Sequence, residues 1–308
     1  MDFTPEGTRI ATARNRLCTS SLAALGECAR TGEILEGRAI VCDASHDLTV
    51  ELPGGIRGII LREEGALGID TGETRDIAII SRVSKPVCFI PYGFRTEGSE
   101  IVPLLSRKKA QAKCQEEWIS KLIPGQVIPA KVTHLEPFGC FVDIGCGISS
   151  MIPIDAISVS RISHPRDRFF VGQDIFAVVK HVEGRRVYLS HKELLGTWEE
   201  NAALFSPGQT VAGIIRSIED YGIFVELTPN LAGLAEPCAG VSKGQSASVY
   251  IKSMLPQKMK IKLLIAEAIE SEAVPSSPRY FVKDKVISHW QYSPDGCQRI
   301  ISTNFEKI

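Results

Sequence analysis

The sequence is short of several things at once. It carries almost no excess charge: 35 Lys and Arg against 36 Asp and Glu over 308 residues, a net of −1. A chain so balanced cannot act as a polycationic coat on nucleic acid, so any such binding needs local basic patches and base stacking. Its nine cysteines (18, 28, 42, 88, 114, 140, 146, 238 and 297) include no Cys-x-x-Cys pair and no His-x-x-x-His partner. That excludes the usual zinc-finger spacings, leaves Cys140 and Cys146 as small buried hydrophobes, and points to a reducing, cytoplasmic setting. No run approaches the ~20 apolar residues of a membrane span, and MDFTPEGTRIATARN has no apolar signal core. There is no phosphate-binding Gly-x-x-x-x-Gly-Lys loop and no Gly-x-Ser-x-Gly elbow; GGIRGII (54–60) opens no long helix pattern. His134, His164, His181 and His191 have no nucleophile at a recognisable spacing. The expectation is a non-enzymatic chain with no catalytic residue, no cofactor and no metal. The histidines at 164, 181 and 191 are expected to add charge only below neutral pH.

What the sequence does contain is a repeat. PGQVIPAKVTHLEPFGCFVDIG (124–145) and PGQTVAGIIRSIEDYGIFVELT (207–228) are offset by 83 residues and identical at seven of 22 positions. Each copy opens with a Pro-Gly-Gln turn and runs into a β segment. In the first copy Pro137 and Gly139 punctuate it before a second strand, Cys140 to Ile144. VGQDIFAVVKHV (171–182) and KGQSASVYIKSM (243–254) each supply a later turn and strand. Arg186–Ser190 and KMKIKLLI (258–265) supply the last strands. About five short strands in about 70 residues suit a small closed barrel of the OB type. A worn third copy precedes them: LTVELPGGIRGII (48–60), IAIISRVSKPVCFI (77–90) as a strand region, and EIVPLLSR (100–107) as its last strand, with His46-Asp47-Leu48 where the aromatic element should be. The predicted class is all-β, tandem five-stranded OB barrels joined by short helical linkers. The predicted divisions are a helical segment (1–32), a degenerate barrel (33–107), a helical linker (108–122), a barrel (123–192), a second helical linker (193–206) and a third barrel (207–267). A tail (268–308) follows, with VPSSP (274–278) as a linker and the possibility of extra strands.

The element that could carry chemistry is aromatic-Gly-x-Phe: Phe138-Gly139-Cys140-Phe141 and Tyr221-Gly222-Ile223-Phe224. Aromatics three apart on a flat strand face opposite sides. A glycine between them permits a bulge that brings both rings to one face as a stacking platform for bases, worth about 1–3 kcal/mol per base. Cations cluster nearby, with Arg161, Arg166, Arg168, Lys180, Arg185, Arg186 and Lys192 in or beside the 125 unit and Arg216, Lys252, Lys258, Lys260 and Lys262 in the 208 unit. This favours the 125 unit as the stronger binder.

Taken together, the two copies resemble the RNA-binding repeat of the bacterial ribosomal protein S-one family. Gly125, Val132, Phe138-Gly139-Cys140-Phe141-Val142-Asp143, Val171-Gly172-Gln173 and Arg186-Val187-Tyr188-Leu189-Ser190 follow the family pattern. Gly208, Ile215, Tyr221-Gly222-Ile223-Phe224-Val225-Glu226 and Gly233 follow it in the second copy. The likeness covers 123–266 well and 33–107 loosely; Ser150 replaces a family glycine, and Pro153 and Glu236 stand where the family often has histidine. The resemblance implies OB barrels that hold single-stranded RNA through Phe138, Phe141, Tyr221 and Phe224. In the resemblance Arg186 matches the basic residue of the final strand and Lys260 is its weaker counterpart; from local charge, Lys131, Arg161, Arg166, Arg168, Lys192, Arg216, Lys252 and Lys262 are expected to meet RNA as well. The resemblance implies a monomeric, cytoplasmic partner of mRNA and of the small ribosomal subunit, working in translation without contact with a membrane. Two other roles fit the sequence: a protein-docking OB module on ribosomal or transcription machinery, and an accessory subunit of an RNA-processing complex.

Overall fold

A computed structural model describes residues 3–53, 55–272 and 277–306. The linker expected at 274–278 lies mostly outside them. Contacts divide the chain into two compact units. One holds the chain up to Lys121 together with Asp143–Ser149; the other holds Leu122–Val142 and the described chain from Ser150 onward.

Four Gly-Gln turns start the long strands of the second unit. Gly125, Gly172, Gly208 and Gly244 have φ of 81°, 92°, 90° and 91°, the left-handed region that only glycine enters freely. The glutamine that follows each one folds its side chain back. Oε1 of Gln126, Gln173, Gln209 and Gln245 accepts from the N–H three residues earlier, at 3.2, 3.1, 2.8 and 2.7 Å. Each glycine N–H then donates to the strand alongside: Gly125 to Val179 O, Gly172 to Val132 O, Gly208 to Ile251 O and Gly244 to Ile215 O. The turn therefore launches a strand and registers it against its neighbour in one step.

Three closed barrels result, each with the expected five strands. The first comprises β1 (Leu35–Cys42), β2 (Leu48–Glu51), β3 (Arg57–Ile60), β4 (Pro86–Glu97) and β5 (Glu100–Ser106). The second comprises β6 (Val127–Glu136), β7 (Gly139–Asp143), β8 (Ser149–Pro153), β9 (Asp174–Glu183) and β10 (Arg186–Ser190). The third comprises β11 (Thr210–Glu219), β12 (Gly222–Thr228), β13 (Leu231–Ala235), β14 (Gln245–Leu255) and β15 (Lys260–Glu272). In every barrel the spatial order is first, second, third, fifth, fourth. In every barrel the third and fifth strands close it as a parallel pair, registered at Ile59↔Leu104, Met151↔Tyr188 and Leu234↔Lys262.

Around the first barrel the connectors are helical at Ala13–Cys18, Leu22–Thr31 and Arg107–Glu117. Helix Leu22–Thr31 is capped by the Ser21 side chain and stopped by Gly32 in the left-handed conformation. Leu25, Leu48, Val50, Ile60, Phe89 and Leu105 lie in one buried cluster. One expectation fails here. Residues 77–90 are not continuous strand: Ile77–Ile80 is a short helix, Ser84 turns with positive φ, and β4 begins at Pro86. A short apolar run reads alike as strand or helix, and periodicity could not separate them.

In the second unit the linker between barrels is a 3-10 turn, Lys192–Leu195, and a helix, Trp198–Ala202, with a Thr197–Glu200 capping box. The tail adds a two-stranded sheet, β16 (His289–Gln291) with β17 (Ser302–Asn304). Ile287, Trp290, Tyr292 and Phe305 complete the core that includes Val178, Leu194, Trp198 and the inward residues of the third barrel.

His191 corrects a second expectation. It is buried, with Nδ1 3.0 Å from Ile157 O and Nε2 3.3 Å from Tyr280 Oη. Burial pushes its pKa down to about 4, so it adds no charge just below neutrality.

The turns and the buried histidine can each be tested by substitution or titration. Gly208→Ala meets no atom within 4 Å, so it tests backbone strain alone. We expect a loss of about 1–2 kcal/mol in urea unfolding, and about 1 kcal/mol for Gln209→Ala. For His191, the unfolded imidazole takes a proton near pH ~6.5, whereas the folded one waits until about pH 4. Its contribution to stability is complete above the unfolded pKa and is lost as pH falls from there toward 4. In a histidine-resolved NMR titration the His191 ring should hold its neutral shift down to about pH 5.

Candidate nucleic-acid interface

The first aromatic of each motif sits in the turn before the strand, and the second sits on the strand. Phe138 precedes β7 and is 55% exposed, while Phe141 on β7 is half-buried. Their ring centroids are 6.0 Å apart with planes at 88°. Tyr221 precedes β12 and is 68% exposed, while Phe224 is half-buried; these rings are 6.2 Å apart, also at 88°. The third barrel thus reproduces the ring geometry of the second.

The glycine acts differently from the expected bulge. A Cβ on Gly139 would lie 2.6 Å from Ile152 O, and one on Gly222 would lie 2.7 Å from Ala235 O. Its missing side chain lets the third strand's backbone close in behind the rings. In the third barrel the register shift lies on β11 instead, between Ile215 and Ser217, opposite Val225 and Phe224.

In the third barrel strand register extends the ring pair into a row, and in the second β8 and β10 supply a comparable row. In the third barrel Phe224 pairs with Leu234, Leu234 with Lys262, and Lys262 with Ser253. Tyr221, Phe224, Leu234, Lys252, Lys260 and Lys262 line a groove of about 760 Å³. In the second barrel Met151 pairs with Tyr188, and Tyr188 with His181. The His181 and Tyr188 rings stack at 4.0 Å and 13°. Arg186, exposed, stands two residues before Tyr188 on β10, as Lys260 stands two before Lys262 on β15. Tyr188, His181 and Leu234 are members of these rows that sequence reasoning missed. The parallel pairing that places Tyr188 beside Met151 has no local signature; the only hint was that Tyr188 lies two residues after Arg186 on one strand.

The cations separate into two groups. Arg186, Lys260 and Lys262 are exposed on the last strands, and Arg161 and Arg166 are exposed on the loop after β8. That loop is held to the β12–β13 turn, since Val159 N–H donates to Asn230 Oδ1 at 2.9 Å and Ser160 N–H to Pro229 O at 3.2 Å. Lys131 faces Asp174 at 2.7 Å, Lys252 faces Glu236 at 2.8 Å, and Lys192 Nζ lies 3.4 Å from Asp155 O. Arg168 and Arg216 do not stand free for RNA. Arg168 is buried, with one nitrogen 2.5 Å from Glu226 Oε2 and Nε 3.3 Å from Ser158 Oγ. Arg216 grips the same carboxylate through two nitrogens at 2.8 and 3.1 Å. Burial pulls the Arg168 pKa below its usual value while Glu226 opposes the shift. Loop residues rich in arginine look alike in sequence whether they face solvent or a buried carboxylate.

The first barrel carries no ring pair at the matching place. Asp47 Oδ1 accepts from Arg62 N–H at 2.7 Å, Arg62 Nε bonds Asp76 at 2.7 Å, and His46 lies 3.5 Å from Asp76. Among the described residues one group, Cys18, Cys28 and Glu33, brings possible metal ligands within 4.8 Å of one another. Both Glu33 oxygens already accept from Arg14, at 2.8 and 2.6 Å.

Residues 121–192 match the family model of the S1 RNA binding domain. The chain is 25% identical over 255 residues to small ribosomal subunit protein bS1 of Rhizobium meliloti, covering 78% of this chain and 44% of that protein. It is 30% identical over 175 residues to the bS1 homolog of Bacillus subtilis, covering 52% and 46%. The chain thus spans less than half the length of these curated relatives. Among solved structures, a multidomain protein with nucleic acid binding domains from Streptococcus pneumoniae matches at 15% identity with a TM-score of 0.25, covering 76% of this chain and 73% of that one. GSP13 of Bacillus subtilis matches at 21% identity with a TM-score of 0.24, covering 28% and 74%. Residues 121–192 thus match an S1 RNA binding domain, and the chain is similar to bacterial small ribosomal subunit proteins bS1.

Proposed function

We propose that the chain is a non-enzymatic, monomeric, cytoplasmic RNA-binding protein that holds single-stranded mRNA in association with the small ribosomal subunit during translation. The observation that carries this reading is the duplicated ring pair. Two barrels present the same perpendicular aromatics, one ring mostly exposed, with a lysine or arginine two residues from the centre of the row. Exposed rings at this spacing accept unpaired bases by stacking, and every base has a face to stack, so binding tolerates sequence. Cations on the last strands can follow the phosphates without raising the charge of the whole chain. The ribosomal part of the proposal rests on the names of the relatives, small ribosomal subunit proteins.

Phe138→Ala and Tyr221→Ala remove rings that lie mostly outside the core. Each should weaken binding of a labelled single-stranded RNA by about 1–3 kcal/mol per base released, about 5- to 150-fold, with the fold intact by circular dichroism. An unmutated protein that ignores RNA at low salt would sink the reading. The cations should divide as their positions do. Arg186→Ala should flatten the salt dependence of RNA affinity by about 0.7 in log–log slope. Arg168→Met should leave that slope alone and cost about 3 kcal/mol of stability, because it breaks a buried pair. Co-sedimentation with small ribosomal subunits checks the ribosomal part.

A further inference from the structure

We infer that the C-terminal segment 277–306, together with the buried Arg168–Glu226 pair, clamps the second and third barrels into one RNA-engaging body. The segment touches both barrels and the linker between them. At the second barrel, Val286 bridges to Gln126, Val127 N–H donates to Lys285 O at 2.8 Å, and Ile287 N–H donates to Gly125 O at 2.8 Å. Tyr280 Oη accepts from Phe176 N–H at 3.0 Å. At the linker, Phe281 N–H donates to Leu194 O and Trp198 N–H to Tyr292 O, both at 2.9 Å. At the third barrel, the Tyr292 hydroxyl donates to Asn230 O, and Trp290 and Phe305 enter its core cluster.

The barrels also meet directly. Arg168 of the second pairs with Glu226 of the third inside the fold. Asn230 is fully buried and uses its whole amide across the junction: Oδ1 accepts from Val159 N–H, and Nδ2 donates to Lys192 O and Gly196 O at 2.9 and 2.8 Å. Two barrels on a loose tether would each search for RNA separately. Two barrels fixed at one spacing hold both ring pairs ready, so a strand that reaches both loses less freedom on binding. This consequence rests on the RNA-binding reading; the clamp itself does not.

Gly125 gives a selective test. A Cβ there would lie 1.9 Å from Ile287 O, the tail backbone, whereas one on Gly172 meets nothing within 4 Å. Both glycines have positive φ, so Gly172→Ala carries the strain without the collision. The full chain would be titrated with fluorescent oligouridylates of about 6 and about 24 nucleotides, bracketing the roughly 4–16 nucleotides that one OB barrel covers. The intact protein and Gly172→Ala should favour the longer RNA by at least about tenfold. Gly125→Ala should lose most of that preference while keeping its affinity for the short RNA. Retention of the preference by Gly125→Ala, or equal loss in Gly172→Ala, overturns the inference. Hydrogen exchange of the same proteins without RNA tests the clamp independently. Amides of β16, β17 and the Trp198 turn should lose protection in Gly125→Ala alone; equal protection in both variants overturns the clamp. If the intact protein binds neither RNA, the RNA-binding reading fails and exchange still decides the clamp. Should Gly125→Ala not fold, the double variant Tyr280→Phe/Tyr292→Phe, which removes only two tail hydroxyls, should show the same loss of length preference in smaller degree. An unchanged preference there counts against the clamp.

Discussion

Backbone carbonyl oxygens of Ile152 and Ala235 lie too close, at 2.6 and 2.7 Å, to leave room for a Cβ on Gly139 and Gly222. That one steric condition links the sequence motif to everything built on it. With no side chain at this position, the third strand of the barrel packs directly behind the turn. The aromatic before the glycine then stays outside, and the phenylalanine two residues after it lies on the strand face beside it. An alanine at either place would push the third strand away, and with it the parallel contact to the fifth strand that closes the barrel. Ring geometry and barrel closure thus depend on the same missing atom, which is why the two ring pairs agree so closely although their surroundings differ.

Barrel type and strand number were legible because the Gly-Gln turns and the repeat pointed one way. What escaped was whatever depends on partners far along the chain. Tyr188 joins the face through a parallel register with Met151 that no local pattern encodes, and His181 follows it across the antiparallel β9–β10 pair. Arg168 and Arg216 read as surface cations, yet both close on Glu226, and only the assembled second unit supplies that carboxylate. Ile77–Ile80 reads as strand because four apolar residues carry no periodicity of their own. His191 reads as a titrating surface group because nothing in HKELL announces that Tyr280, 89 residues later, covers it.

The acidic residue that ends each motif shows how a repeat acquires different duties. Asp143 is buried and accepts from the N–H groups of Glu6, Gly145 and Gly147 at 2.7, 2.8 and 3.0 Å. Burial, with the nearby charge of Glu6, pushes its carboxyl up to about 7 against those hydrogen bonds. Glu226 is buried too, but it is neutralised by two guanidinium groups. Glu51, at the matching place in the first barrel, is exposed. The side chain points away from the ring face in the two intact copies and serves attachment there; the worn copy, with a polar network in place of rings, has neither role for it.

Near-zero net charge is compatible with RNA binding once the buried cations are set apart. Arg107 closes on Glu6, and Arg168 and Arg216 on Glu226, so these three arginines and two carboxylates act mainly inside the fold and project little field into solvent. Field at the surface is then decided by position instead of by total. Lys260 and Lys262 line the groove of Tyr221 and Phe224, and Arg186 is exposed on the last strand of the second barrel. On the proposed RNA-binding reading, a composition that argues against indiscriminate adhesion to polyanions suits a chain that stacks bases first and steers phosphates second. Association with such faces should be governed by ring exposure at physiological salt, because the few cations involved are screened within about 8 Å while the stacking contacts are not.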